Sequence, residues 1–223
     1  MTRASSDDGG RQERLSRVYQ AGGDPGQLAR HYDAWAERYD EDMVGLGYLN
    51  PSLACGLVGR HVGDEGARIL DAGVGTGLIG RLLHLLGYRD LVGIDLSQGM
   101  LERAAGLGAY RALRRMVLGE PLDFPDGSFD ACIACGVLTV GHAPPHALDE
   151  LVRVVRPGGV LIFSVTDEAF EAGGFGARIE ALREAGAWRP VAVTESYVPL
   201  PGAAAEAAHG SRMFVYRTAS PRG

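Results

Sequence analysis

The chain has 223 residues, 46% of them hydrophobic and 22% charged, which is enough for one α/β domain with a short accessory segment. Its 22 basic residues, every one an arginine, are outnumbered by 28 acidic ones, and the resulting charge of −6 argues against a nucleic-acid partner, whose affinity rests on neutralised phosphates. No apolar run approaches the ~20 residues that span a bilayer and the N-terminus is polar, so the sequence predicts no membrane partner and a cytoplasmic protein.

In chain order, residues 1–26 read as a mobile tail in which Ser5-Ser-Asp-Asp-Gly-Gly10 and Gly22-Gly-Asp-Pro-Gly26 flank a short helical stretch from Arg11 to Gln20. Residues 27–63 read as a helical lid. There Leu28, Tyr32, Trp35 and Tyr39 recur every three or four positions as far as Asp42, marking one face of a single amphipathic helix, and a second helix follows Pro51.

Residues 64–223 then alternate strand and helix signals. Strands are predicted at Ile69-Leu70, Leu91 to Ile94, Ala112 to Leu118, Phe129 to Ala134 and Val160 to Val165. Helices are predicted over Thr76 to Leu86, Ser97 to Ala105 with Ser97 as N-cap, and Pro145 to Val155. A helix from Phe175 to Ala185, an extended stretch Trp188 to Val198, a surface loop Pro199 to Gly210 and a last strand Met213 to Tyr216 complete the chain. This alternation predicts an α/β fold, a parallel sheet with helices on both faces.

Cys132 and Cys135 form a CxxC within a buried strand, where ~3.3 Å per residue sets their Cα atoms ~10 Å apart, beyond disulfide reach. Together with Cys55 they read as core, and no metal site is expected.

Asp71-Ala-Gly-Val-Gly-Thr-Gly77 follows a strand and opens a helix, so its glycines let the backbone turn sharply against a nucleotide-like cofactor. Gly75-Thr-Gly-Leu-Ile-Gly80 also satisfies GxGxxG, with Asp95 twenty residues on, as a dinucleotide fold requires. Asp71 favours another ligand. At the strand end it would repel a pyrophosphate, whereas S-adenosylmethionine offers an ammonium and a sulfonium there. Asp95 suits the ribose hydroxyls of either cofactor.

The segments Ile69-Leu-Asp-Ala-Gly-Val-Gly-Thr-Gly77, Val92-Gly-Ile-Asp-Leu-Ser-Gln-Gly-Met100, Phe124-Pro-Asp-Gly-Ser-Phe-Asp130 and Arg153-Val-Val-Arg-Pro-Gly-Gly159, in this order, resemble class I methyltransferases. His31-Tyr-Asp-Ala-Trp-Ala-Glu-Arg-Tyr-Asp40 and Gly136-Val-Leu resemble the Williams-Beuren syndrome region methyltransferase-like branch. The resemblance implies a Rossmann-like, seven-stranded, mostly parallel sheet with an antiparallel last strand, and S-adenosyl-L-methionine as cofactor. It implies that Asp71, Gly73, Gly75 and Gly77 hold the methionyl portion, that Asp95 binds the ribose, and that Leu96 and Met100 touch adenine. It further implies that Cys135 lines the cofactor beside the substrate and that Tyr32 and Tyr39 reach it from the lid. Where relatives carry an adenine-binding Asp before Leu-Pro-Phe, this chain has Val117-Leu-Gly-Glu-Pro-Leu-Asp-Phe124, which shifts that role to Glu120 or to backbone between Gly119 and Leu122.

Methyl transfer is an in-line displacement, so a general base is required only for an acceptor that carries a proton at working pH. The candidate base is His142, which follows the fourth strand, with His146 second and surface or capping roles the ordinary use of such histidines. The expected activity is methylation of a small-molecule acceptor at oxygen, nitrogen or carbon. The rival is a protein of the same fold that keeps the cofactor for a non-methylating reaction or as a sensor. Neither the acceptor nor the oligomeric state is legible in the residues.

Overall fold

The computed structural model describes residues 8–19, 22–204 and 209–219. Parts of the expected tail (1–7 and 20–21) and of the expected loop (205–208) therefore lie outside the described residues. Strands β1 (Arg68–Ala72), β2 (Asp90–Asp95), β3 (Ala112–Arg115), β4 (Phe129–Leu138) and β5 (Val155–Thr166) pair in parallel. Strands β6 (Trp188–Val193) and β7 (Ser211–Thr218) complete the sheet in the order β3-β2-β1-β4-β5-β7-β6, with β7 antiparallel to both neighbours.

Adjacent residues Ile69 and Leu70 are both fully buried because the sheet is covered on each face. On one face Leu70, Phe129 and Phe163 pack against helices α7 (Ala147–Val154) and α9 (Phe175–Glu184). On the other, Ile69, Ile133 and Ile162 pack against α4 (Asn50–His61) and α5 (Leu78–Leu85). The chain steps outward through β1, β2 and β3, then returns to place β4 on the far side of β1. A crevice opens beyond the C-terminal ends of β1 and β4, where such sheets bind ligands.

Helix α6 (Gln98–Gly106) starts as expected, with Ser97 Oγ accepting from the Met100 N–H at 3.1 Å. The lid departs from expectation. The single helix expected as far as Asp42 is broken into α2 (Pro25–Trp35) and α3 (Tyr39–Gly45), with a tight turn in which the Arg38 N–H donates to the Trp35 carbonyl. In an unbroken helix Trp35 and Asp42 would stand roughly 10 Å apart along the axis. The break lets the fully buried Asp42 accept from Trp35 Nε1 at 2.7 Å and from Arg14 Nε at 2.6 Å, which ties α1 (Asp8–Tyr19) to the lid. The loop after Val198 is no simple surface loop either: Leu200 is buried against α1 and the lid, and the Gly202 N–H donates to the Leu46 carbonyl.

Candidate functional site

The glycine loop leaves β1 with Gly73, Gly75 and Gly77 at φ of +81°, +53° and +92°, backbone that side chains rarely tolerate. The glycines have different surroundings. A Cβ on Gly73 would lie 2.2 Å from Val137 Cγ1, whereas one on Gly75 would meet nothing within 4 Å, so Gly75 fronts open space. Gly77 instead begins α5. Asp95, closing β2, stitches the loop to α6: its Oδ2 accepts from the Gly75 N–H at 2.8 Å and its Oδ1 from the Ser97 N–H at 2.9 Å. Burial pushes its carboxyl up to about 6, against the pull of these hydrogen bonds.

Asp71 is 2% exposed, and its two oxygens differ. Oδ2 accepts from the Tyr110 hydroxyl at 2.6 Å, while Oδ1 is buried with no hydrogen-bond partner. Burial pushes this carboxyl up to about 7, opposed by the Tyr110 hydrogen bond and reinforced by Asp95. A buried acid with an orphaned oxygen suits a cation brought to the loop. This orphaned atom, the open face of Gly75 and the paired acids all fit S-adenosylmethionine. Tyr110 escaped the sequence reading. It is met by the last glycine of the GxGxxG, 30 positions away: the Tyr110 hydroxyl accepts from the Gly80 N–H at 3.0 Å, and a Cβ on Gly80 would lie 2.1 Å from the phenol.

In front of the loop lies a cavity of about 510 Å³, of ligand-site size. It gathers most of the predicted residues: Tyr32, Tyr39, Gly73, Gly75, Asp95, Leu96, Met100, Glu120, Cys135 and His142 all line it. Asp71, Gly77 and Leu122 do not. Leu122 corrects the expectation for the adenine end. Its side chain is in the core, its N–H donates to Glu150 Oε2 at 2.7 Å, and its carbonyl accepts from Arg153. The Gly119 carbonyl is likewise engaged by His146 Nε2 at 3.0 Å. Two of the four segments that carry the resemblance also do not reach the cavity: Arg153 binds Asp126 and the Phe124 carbonyl, and Arg156 pairs with Asp130.

At the same cavity, the lid meets the end of β4. His142 Nε2 lies 3.0 Å from Tyr32 Oη and its Nδ1 lies 2.7 Å from Thr139 Oγ1. Burial pushes the imidazole down to about 4, so it is neutral at physiological pH. Cys135 is buried and its thiol is pushed far up by that burial, which makes it a neutral wall rather than a nucleophile. Tyr48, unmarked in the sequence, joins this wall; Gly136 admits it, since a Cβ there would fall 2.5 Å from the Tyr48 hydroxyl.

Two Tyr-Asp pairs seven residues apart organise the lid. Tyr32 and Tyr39 roof the cavity, while the aspartates beside them grip the core. Asp33 Oδ1 accepts from Ser97 Oγ at 2.6 Å and from the Gly99 N–H at 2.9 Å, and Asp40 accepts from Thr76 Oγ1 in the glycine loop. Among the described residues, no group of three or more His, Cys, Asp or Glu is placed to hold a metal ion.

Comparison with known proteins agrees with this geometry. A family model described as a methyltransferase domain matches residues 70–163. The chain is 36% identical over 198 residues to methyltransferase-like protein 27 of Homo sapiens, covering 83% of this chain and 78% of that protein. It is 35% identical over 144 residues to a demethylmenaquinone methyltransferase of Clavibacter sepedonicus, covering 62% and 57% of the two chains. Among solved structures, the [4+2]-cyclase SpnF matches with a TM-score of 0.68 at 19% identity, over 88% of this chain and 97% of that one. An S-adenosylmethionine-dependent methyltransferase from Mesorhizobium loti matches with a TM-score of 0.54 at 22% identity, over 68% and 91%. At such identities the solved structures speak for the fold.

Proposed function

This chain belongs to the class I S-adenosylmethionine-dependent methyltransferases, and on that premise we propose that it methylates a small-molecule acceptor. The observation that carries the reading is one cavity lined both by Gly73, Gly75 and Asp95 and by the Tyr32–His142 pair. When bound, S-adenosylmethionine supplies an electrophilic methyl group on a sulfonium.

The chain's residues divide the remaining work. Asp71, from behind the glycine turn, is the counter-charge for the cofactor's ammonium, and Gly73, Gly75 and Gly77 allow the close backbone approach. Asp95 takes the ribose, Leu96 and Met100 the adenine face, and Glu120 the adenine edge. Tyr32 and Tyr39 would close the lid and exclude water, with Cys135 as an inert part of the cavity wall.

His142 is the catalytic residue of this proposal. With its Nδ1–H donated to Thr139, its Nε2 accepts the Tyr32 hydroxyl proton. An acceptor's proton then passes to Tyr32 Oη as Tyr32's own proton passes to His142, leaving an imidazolium. The arrangement suits an oxygen or nitrogen acceptor that must lose a proton. The test is turnover: the purified chain, given S-adenosylmethionine and a panel of small acceptors, should form S-adenosylhomocysteine only in their presence. Tight NAD binding without S-adenosylmethionine binding in calorimetry would overturn the reading.

A further inference from the structure

The cavity wall has a charge pattern that composition does not suggest. The chain has 22 arginines, yet among the described residues lining the cavity there is neither an arginine nor a lysine. The charged side chains that line it are Asp95 and Glu120, both in segments assigned above to the cofactor. Away from those segments the wall is largely apolar, with Val137, Val140, Pro144, Pro145, Ala169 and Phe175, and its polar side chains near the lid include the hydroxyls of Tyr32, Tyr39, Tyr48 and Thr139 and the imidazole of His142.

From this wall we infer that the acceptor is an uncharged, mostly apolar molecule that presents a hydroxyl group. The inference rests on the methyltransferase reading. An ionised carboxylate or phosphate entering here would give up its hydration with no arginine or lysine among the described lining residues to replace it, and a buried ion without a side-chain partner is strongly disfavoured. It would also face Asp95 and a protein of net charge −6. An ammonium acceptor meets no acid on the lid side, would be repelled by a bound sulfonium, and has no lone pair for attack until it loses a proton. A neutral hydroxyl avoids these penalties, since the tyrosine and threonine hydroxyls can orient it and the Tyr32–His142 pair can take its proton. The six apolar residues then cover the rest of the molecule.

The test compares three matched probes by calorimetry on the full chain saturated with S-adenosylhomocysteine: the methyl ester of hydroxyphenylpropanoic acid, the free acid, and tyramine. The ester should bind at least tenfold tighter than either charged analogue. Equal or tighter binding of the acid or the amine overturns the inference, as does failure of all three to bind while S-adenosylhomocysteine still binds; the methyltransferase reading survives both results. Failure of S-adenosylhomocysteine itself to bind overturns both. One variant probes the cause. Val140 is 46% exposed at the cavity wall, and Val140→Arg should raise the acid's affinity relative to the ester by fivefold or more. An unchanged ratio overturns charge as the basis of selection.

Discussion

The Tyr110 hydroxyl donates to Asp71 Oδ2 at 2.6 Å while accepting from the Gly80 N–H at 3.0 Å, so one phenol links the acid at the end of β1 to the first turn of α5. Tyr110→Phe removes both bonds and leaves both Asp71 oxygens unpaired in the interior. A hydrogen bond to a charged group contributes about 1.5–3 kcal/mol, and a loss of that order is expected in urea unfolding. Cofactor affinity should weaken too, because Asp71 would ionise less readily. Unchanged affinity in calorimetry would show that Tyr110 serves the helix alone.

The same link makes Gly80 intolerant of a side chain. Gly80→Ala places a Cβ 2.1 Å from the Tyr110 phenol, against a ring that is itself largely buried. Overpacking of this kind costs about 1–3 kcal/mol. Pairing Gly80→Ala with Tyr110→Phe in a double-mutant cycle should show strong coupling; additive losses would contradict the contact.

Cofactor binding should depend on pH through Asp71. Its folded carboxyl sits at about 7 because of burial, above the ordinary value of 3.8. Without ligand, the native state binds more protons than the unfolded chain between these values, so stability falls as pH rises across that window. A cationic ligand selects the ionised acid and releases the proton. Affinity for S-adenosylhomocysteine should therefore rise with pH up to about 7 and level off above it. In Asp71→Asn the limb near pH 7 should vanish, leaving only the shallower one that Asp95 contributes near 6, and binding should be weak throughout.

His142 makes a different prediction. Burial holds its imidazole at about 4, so the base form is present throughout the physiological range. At saturating cofactor, kcat should be flat from pH 5.5 to 8, with no limb near the ordinary histidine value of 6.5. His142→Gln and Tyr32→Phe should each lower kcat by about 100-fold or more, the usual contribution of acid–base catalysis, with little change in S-adenosylhomocysteine affinity for His142→Gln. An unaltered kcat in both variants would remove the relay from the mechanism.

The lid anchors should separate binding from folding. Asp33→Ala and Asp40→Ala each cut a tie between the lid and the cofactor-side loops. Cofactor dissociation rates in stopped flow should rise several-fold. The sheet core, which neither residue enters, should keep its unfolding free energy to within about 0.5 kcal/mol, as expected for changes outside a core.

Much of this protein was legible in its residue order. The alternation of apolar strands and helices, the Ser97 cap, the glycine turn and the acids at the ends of β1 and β2 are local chemistry. Each is decided by a few neighbouring residues and by the handedness of βαβ units, and sequence alone established them. The tertiary structure decided what distant residues share. Tyr110 meets Asp71 across 39 positions and Tyr32 meets His142 across 110, and nothing local to either partner announces the other. Leu122 shows the same limit in reverse: it stands in the segment that resembles an adenine contact, yet Glu150 and Arg153, a helix away, draw its backbone into the scaffold. The lid helix broke where its periodicity was continuous, and the break brings the buried carboxylate of Asp42 to Trp35, seven positions back, closer than a straight helix allows. The glycine loop and the acid beside it point to the cofactor from sequence because a tight turn and a neighbouring charge are both local. The acceptor side had to await the fold, because its wall is assembled from three stretches of chain that meet only when the sheet closes.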